Sequence, residues 1–243
     1  MDFSIATCIK KNVDRGKVEQ FVYSLSKTSY PFHFFVVNNS DFDLNPIIKK
    51  YGIENYYEIR NAIDVNPVTC INQVLYNTMD LSEYTVYVNS SDSLVVNEDW
   101  LKGLLRYRSE NFGIGGTVFP LKISNSPEML KIIQSSSADG IDWLSKKVNR
   151  YMMVNCVDSN IFMIKNKNLK ISSLPDMKSC TESSYGVEMS FRFLSNDFAI
   201  INIEEINSSS KDNFRFDIGD AIRKGAKIIC PVVSSSVRER IIF

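Results

Sequence analysis

Residues 84–101, YTVYVNSSDSLVVNEDWL, run from four β-formers, Thr85–Val88, into the polar stretch Asn89-Ser90-Ser91-Asp92-Ser93. Apolar residues resume at Leu94-Val95-Val96, and Glu98-Asp99-Trp100-Leu101 opens a helix. An acid set among hydroxyls and an amide at the end of a strand offers hard oxygen ligands. Such ligands suit a polar, phosphorylated small molecule and a divalent cation that keeps several waters and binds partly through phosphate. The alternative is structural: Asp92 caps the turn or the next element. Two more apolar runs end in the same way. FSIATCI stops at Lys10-Lys11-Asn12, and FHFFVV stops at Asn38-Asn39-Ser40-Asp41.

Other chemistries lack their residues. The sole histidine, His33, lies inside the second apolar run and reads as a packed strand residue, which excludes a histidine-based triad and a multi-histidine metal site. No Gly-x-Gly-x-x-Gly follows the first strand and no GxxxxGK[ST] occurs, so a Rossmann dinucleotide site and a P-loop are not expected. Cys8, Cys70, Cys156, Cys180 and Cys230 are scattered, odd in number and never spaced as CxxC, against both a disulfide framework and a zinc site. They read as reduced thiols packed as small hydrophobes.

The elements that must position the three polar strand ends follow from periodicity. Strands are expected at 3–9, 32–38, 56–59 and 85–88. Helices are expected at 15–27 (Val18, Phe21, Val22 and Leu25 on one face), 45–51, 67–79 (Val68, Ile71, Val74 and Leu75) and 98–107. Near-continuous apolar strands alternating with helices predict a mostly parallel α/β sheet covered on both faces. Ligands bind such sheets beyond the carboxyl ends of the strands, where the polar stretches lie. Later, Gly113, Gly115 and Gly116 read as a turn into a strand at 117–123, with a loose helical stretch at 125–150 and β structure within 154–165. A helix at 183–194, a strand at 198–203, a helix at 217–224 and a last strand at 226–233 complete the pattern. The tyrosines at 56–57 and 84–87 could stack on a sugar or a base, though strand packing accounts for most of them. No linker separates independent domains. One domain over 1–243 is expected, with a nucleotide-binding half at about 1–116 and an acceptor-binding half at about 117–243.

Composition bounds the partners. With 28 basic and 28 acidic side chains, no global field attracts nucleic acid or an anionic membrane. No apolar run approaches the roughly 18–20 residues a membrane span needs. The N-terminal MDFSIATCIKKN reads as a first strand and not as a signal peptide. The expectation is a cytoplasmic protein, compatible with peripheral membrane attachment and with a homo-oligomer.

FSIATCIKKN, VVNNSD, TCINQVLYNT, VYVNSSDSLVVNEDWL and SYGVEMSFRFLSNDFAIINI together resemble the landmarks of family 2-type glycosyltransferases with the GT-A fold, over most of residues 1–205. The resemblance implies a nucleoside-diphosphate-sugar donor, a carbohydrate or glycoconjugate acceptor, sugar transfer with inversion, and a weakly held Mn²⁺ or Mg²⁺. Donor contacts would come from Thr7, Cys8 and Asn12, from Asn38, Asn39 and Asp41, and from Asn72, Asn89, Ser91 and Arg192. Asp92 would approach the metal. The base that deprotonates the acceptor would be Glu188, which keeps the family's i, i+4 relation to Arg192, or Asp217 in FDIGDAIRKG. An exposed helix acid paired with an arginine is the alternative for each.

The departures from the family's pattern are specific. Asn38 stands where the family has an acid, Asn89 or Ser90 replaces the first acid of Asp-x-Asp, and Gly186 occupies the base position. They motivate a second reading, in which the fold has lost catalysis and serves as a binding or assembly partner. A nucleotidyltransferase would need a glycine- and basic-rich loop after the first strand, which ATCIKKN lacks apart from its lysines.

Overall fold

The computed structural model of the chain describes residues 1–89, 98–116, 157, 159–175, 180–194 and 196–203. Ser91, Asp92, Asp217 and the elements expected at 117–123, 125–150, 217–224 and 226–233 lie outside the described residues.

The first half alternates as its periodicity predicts. β1 (Phe3–Ile9), α1 (Arg15–Ser26), β2 (Phe32–Asn38), α2 (Asn45–Tyr51), β3 (Tyr56–Arg60), α3 (Pro67–Thr78), β4 (Tyr84–Val88) and α4 (Trp100–Leu104) follow one another, α4 running into a 3-10 turn at Leu105–Tyr107. After them come β5 (Phe112–Gly116), β6 (Ile161–Lys165), α5 (Asn166–Ser172), a 3-10 turn at Glu182–Ser184, α6 (Tyr185–Leu194) and β7 (Ala199–Asn202). The strands form one 7-stranded sheet in the order β3-β2-β1-β4-β6-β5-β7. β3, β2, β1 and β4 are mutually parallel, β6 runs antiparallel between β4 and β5, and β7 pairs parallel to β5. The sheet is therefore mixed and mostly parallel.

Alternation along β1 distributes the core. Phe3, Ile5 and Ile9 join α1, α2 and α4 on one face, while Ala6 and Cys8 join α3, α5 and α6 on the other. Helices cover both faces of the central strands, which is why β1 and β4 are apolar on both sides, while the edge strand β3 stays partly open to water. The expected turn at the glycines is instead strand β5. A Cβ on Gly113 would overlap the Phe193 ring of α6, and one on Gly115 would come within 2.5 Å of Ile203 Cδ1. The glycines are there because neighbouring side chains pack against the backbone. Tyr84 and Tyr87 belong to the core, stacked on Phe112 and Phe162, while Tyr57 stacks on Phe35 at the exposed edge strand.

Candidate functional site

A cleft of about 630 Å³ opens beyond the carboxyl end of β1, between the end of β2 and the start of α3. Cys8, Lys10, Lys11, Asn12, Lys17, Asn39, Asp64, Asn66, Cys70 and Glu182 contribute to its walls. Two twelve-residue helices begin at this cleft. The N-cap of α1 is Asp14, whose Oδ1 accepts from the Lys17 amide at 3.0 Å, and the N-cap of α3 is Asn66, whose Oδ1 accepts from the Val68 amide at 2.9 Å. Helix N-termini carry partial positive charge. Together with the three lysines they make one side of the cleft attractive to an anion.

The strand ends are built differently from one another. Thr7 is buried and donates to the Val88 carbonyl at 2.6 Å, tying β1 to β4 instead of reaching the cleft. Cys8 is on the cleft wall, and burial pushes its thiol well above the ordinary range, as it does more mildly for Cys70. Neither is a thiolate nucleophile at neutral pH. Asn38 spends its whole amide on the protein. Its Oδ1 accepts from the Ser40 amide and hydroxyl at 2.9 and 2.6 Å, and its Nδ2 donates to Glu58 at 2.7 Å and to the Phe42 carbonyl at 3.2 Å. The donor contact expected of Asn38 is thus replaced by a locked turn, with Asp41 exposed on it outside the cleft wall.

The next residue takes the open position. Asn39 is half-buried and on the wall, its Nδ2 donating to Cys70 Sγ at 3.0 Å and its Oδ1 accepting from Asn61 at 3.0 Å. Asn61 and Gln73 exchange amide hydrogen bonds of 3.0 Å behind it. Asn72, by contrast, faces away. It donates to the Pro175 carbonyl and accepts from the Tyr185 hydroxyl, both at 2.7 Å, and so joins α3 to α6.

The acids separate clearly. Glu188 is 2% exposed and does not contribute to the cleft wall; its Oε1 accepts from Arg192 Nε at 2.9 Å. Arg192 in turn donates to Ser173 at 3.2 Å, so the two residues form an ion pair that does not line the cleft. Three carboxylates do line the cleft, Asp14, Asp64 and Glu182, and the one that stands between the ends of β1 and β4 is Glu182, on the 3-10 turn before α6. Its Oε2 lies 2.9 Å from Lys10 Nζ, and its Oε1 accepts from Asn89 Nδ2 at 3.3 Å. Asn89 is in turn fixed by its own amide, which donates to the Asn160 carbonyl at 2.7 Å. Glu182, Lys10 and Asn89 therefore join the ends of β1 and β4 to the approach of α6. Sequence reasoning passed over Glu182 because it lies four residues before the family's base position. Its one local signal is the Thr181-x-x-Ser184 capping box, which marks a helix start and places an acid in its first turn.

Among the described residues no group of three or more His, Cys, Asp and Glu side chains is placed to hold a metal ion. Glu182 is occupied by an ammonium group and an amide, which is not a donor set for a hard cation. Asp92, the expected ligand, lies outside the described residues. No helix among the described residues is long and apolar enough to cross a membrane.

No family model matches the chain, and no curated protein matches it in sequence. Solved structures do match. TarS 1–349 from S. aureus, also solved with UDP-GlcNAc, superposes with a TM-score of 0.56 at 16% identity, covering 86% of this chain and 59% of that one. The mannosyltransferase PcManGT from Pyrobaculum calidifontis, in complex with GDP-Man and Mn²⁺, gives 0.59 at 10% identity, covering 85% and 55%. GalNAc-T7 with UDP, GalNAc and Mn²⁺ gives 0.60 at 10% identity, covering 84% and 42%. The chain thus spans between 42% and 59% of the length of these structures. These neighbours are GT-A-type glycosyltransferases, two of them solved with a nucleotide sugar, and the mixed sheet of seven described strands with its flanking helices has the GT-A fold.

Proposed function

We propose that the chain transfers a sugar from a nucleoside diphosphate to an acceptor hydroxyl, with inversion at the anomeric carbon. The observation that carries this reading is the cleft itself. It lies beyond the carboxyl ends of the parallel strands of a GT-A sheet, is flanked by two helix N-termini, is lined by three lysines and by Asp14, Asp64 and Glu182, and of these acids Glu182 is the one at the junction of β1, β4 and α6. The nucleoside would rest between Asn39 and the Asp64–Pro67 segment, with the diphosphate toward Lys10, Lys11 and the start of α1. The residues after 116 would supply the acceptor side.

In this reading Glu182 takes the role first expected of Glu188 or Asp217. Its carboxylate accepts the acceptor's hydroxyl proton. The acceptor oxygen bonds to the anomeric carbon as the bond from that carbon to the diphosphate oxygen breaks, and the diphosphate leaves with the electron pair. A divalent cation, held through Asp92, would supply charge stabilisation at the leaving group. Lysines and helix N-termini supply the same kind of stabilisation from this chain's described residues.

The position of Glu188 in a buried ion pair favours the alternative of a binding protein that has lost catalysis, and Glu182 decides between the two. Calorimetric titration with UDP, GDP, ADP and CDP tests the donor site, and binding of none of them at millimolar concentration overturns the reading. Donor turnover on a panel of sugar nucleotides, compared between the native chain and Glu182→Gln, separates enzyme from binding partner.

A further inference from the structure

We infer that Lys10 and Glu182 form a latch across the cleft that the donor's diphosphate releases, so that Glu182 becomes available to an acceptor only after the donor has bound. The inference rests on the reading of the cleft as a nucleoside-diphosphate site and deepens it: Lys10 is a positioning residue for that reaction.

Three observations carry it. The two side chains meet at 2.9 Å, and both belong to the wall of the same cleft. They are held with very different firmness. Glu182 sits on a 3-10 turn fixed by the reciprocal Thr181–Ser184 capping box, and Asn89 holds its second oxygen. Lys10 stands on the exposed loop after β1, where the described backbone tie is the Val13 amide to the Lys10 carbonyl at 3.3 Å. Lysine's ammonium is a point charge on a flexible four-carbon stem, so Lys10 is the partner that moves.

The third observation is the competition for that charge. Side-chain exposures of 44% for Lys10 and 23% for Glu182 describe a water-accessible pair. Such pairs hold weakly. A diphosphate entering beside Lys10, Lys11, Lys17 and the N-terminus of α1 brings more negative charge than one carboxylate and offers several oxygens to the ammonium group. Lys10 turns to the diphosphate, and Glu182 keeps only its bond from Asn89. While the ion pair persists, Lys10 occupies the carboxylate oxygen that an acceptor hydroxyl must reach. Binding is therefore ordered, donor before acceptor.

Zero-length carbodiimide coupling on the full chain reads the latch directly. The reagent activates the Glu182 carboxylate, the Lys10 amine attacks it, and an amide forms as the urea departs with the carboxylate oxygen. Mass spectrometry should find the Lys10–Glu182 isopeptide in the ligand-free protein and none in Glu182→Gln. Saturating UDP or GDP, whichever calorimetry shows to bind, should reduce the cross-link about tenfold, as expected for a charge pair exchanged for a stronger one. Absence of the cross-link in ligand-free protein overturns the latch. A cross-link undiminished while nucleotide is bound also overturns it and leaves the nucleotide site standing. If no nucleotide binds, the site reading falls and the latch falls with it.

Discussion

Glu182 and Glu188 lie six positions apart and have opposite environments, which makes them a controlled comparison. Glu182→Gln should lower turnover by about 10²–10⁴-fold, the usual contribution of a positioned base, while donor affinity and melting temperature stay close to native. Glu188→Gln should show the reverse: turnover per folded molecule nearly unchanged, and stability reduced by about 1–3 kcal/mol because a buried charged hydrogen bond to Arg192 is weakened. Urea unfolding beside a turnover assay checks both, and a dead but stable Glu188→Gln would return the base to its motif position. His33 supplies a pH prediction. Burial, with a smaller contribution from the N-terminal charge, holds its imidazole pKa below the ordinary 6.5, and its buried Nδ1 has no hydrogen-bond partner among the described residues. The folded state therefore binds its proton later than the unfolded chain does. Stability is fully present above pH 6.5 and falls as the pH drops below that value toward the folded-state pKa. Because His33 is the sole histidine, His33→Gln should flatten the slope of unfolding free energy between pH 7 and pH 5, and an unchanged slope would contradict this. At this scale the polar strand ends were legible in the sequence, and the direction each side chain takes was not. Asn38 and Asn39 both read as donor contacts, but only geometry shows that the first closes a turn and the second opens on the cleft.

Elements whose buried face is apolar were legible, since α1, α2 and α3 follow directly from the spacing of Val, Ile, Leu and Phe. α5 was not, because its buried face is mostly polar, with Leu169 the one apolar side chain beside Asn166, Asn168 and Ser172. Asn166 accepts from Thr85 at 2.9 Å and donates to the Thr78 and Ser82 carbonyls, and Asn168 donates to the Phe112 carbonyl at 2.6 Å. A helix that docks through hydrogen bonds leaves no hydrophobic period to read. β5 escaped for a related reason: FGIGG has the composition of a turn, and only the closeness of Phe193 and Ile203 explains its glycines. That closeness is testable. Gly113→Ala should cost about 1–3 kcal/mol through overpacking, and pairing it with Phe193→Leu should recover part of the loss. Additive losses in the double variant would mean the two positions do not press on each other. The Asn72–Tyr185 hydrogen bond between α3 and α6 makes a second test at this scale. Tyr185→Phe leaves the half-buried Asn72 amide without that donor and should cost about 1 kcal/mol in urea unfolding, with nucleotide affinity unaltered because neither side chain contributes to the cleft wall.

Across the whole molecule, the sheet order interleaves what the sequence presents as two halves. β5 closes the first half in chain order, yet its partners are β6 and β7, and β6 is inserted between it and β4. The cleft repeats the same logic, since Cys8 and Lys10 from the first strand end meet Glu182 from the approach to α6. A ligand in that cleft therefore touches elements from both parts of the chain. Ligand binding to the folded state alone stabilises it by RT ln(1 + [L]/Kd), about 2.7 kcal/mol at a hundredfold excess over Kd. For a chain of this size that corresponds to a rise in melting temperature of roughly 5–10 °C. If the sheet melts as one unit, the binding nucleotide diphosphate should move a single calorimetric transition upward by that amount without broadening it. A thermogram that splits, with one component shifted and the other fixed, would show that the strands added after β5 melt independently of the nucleotide-binding sheet, and that Glu182 is not part of the site the ligand stabilises.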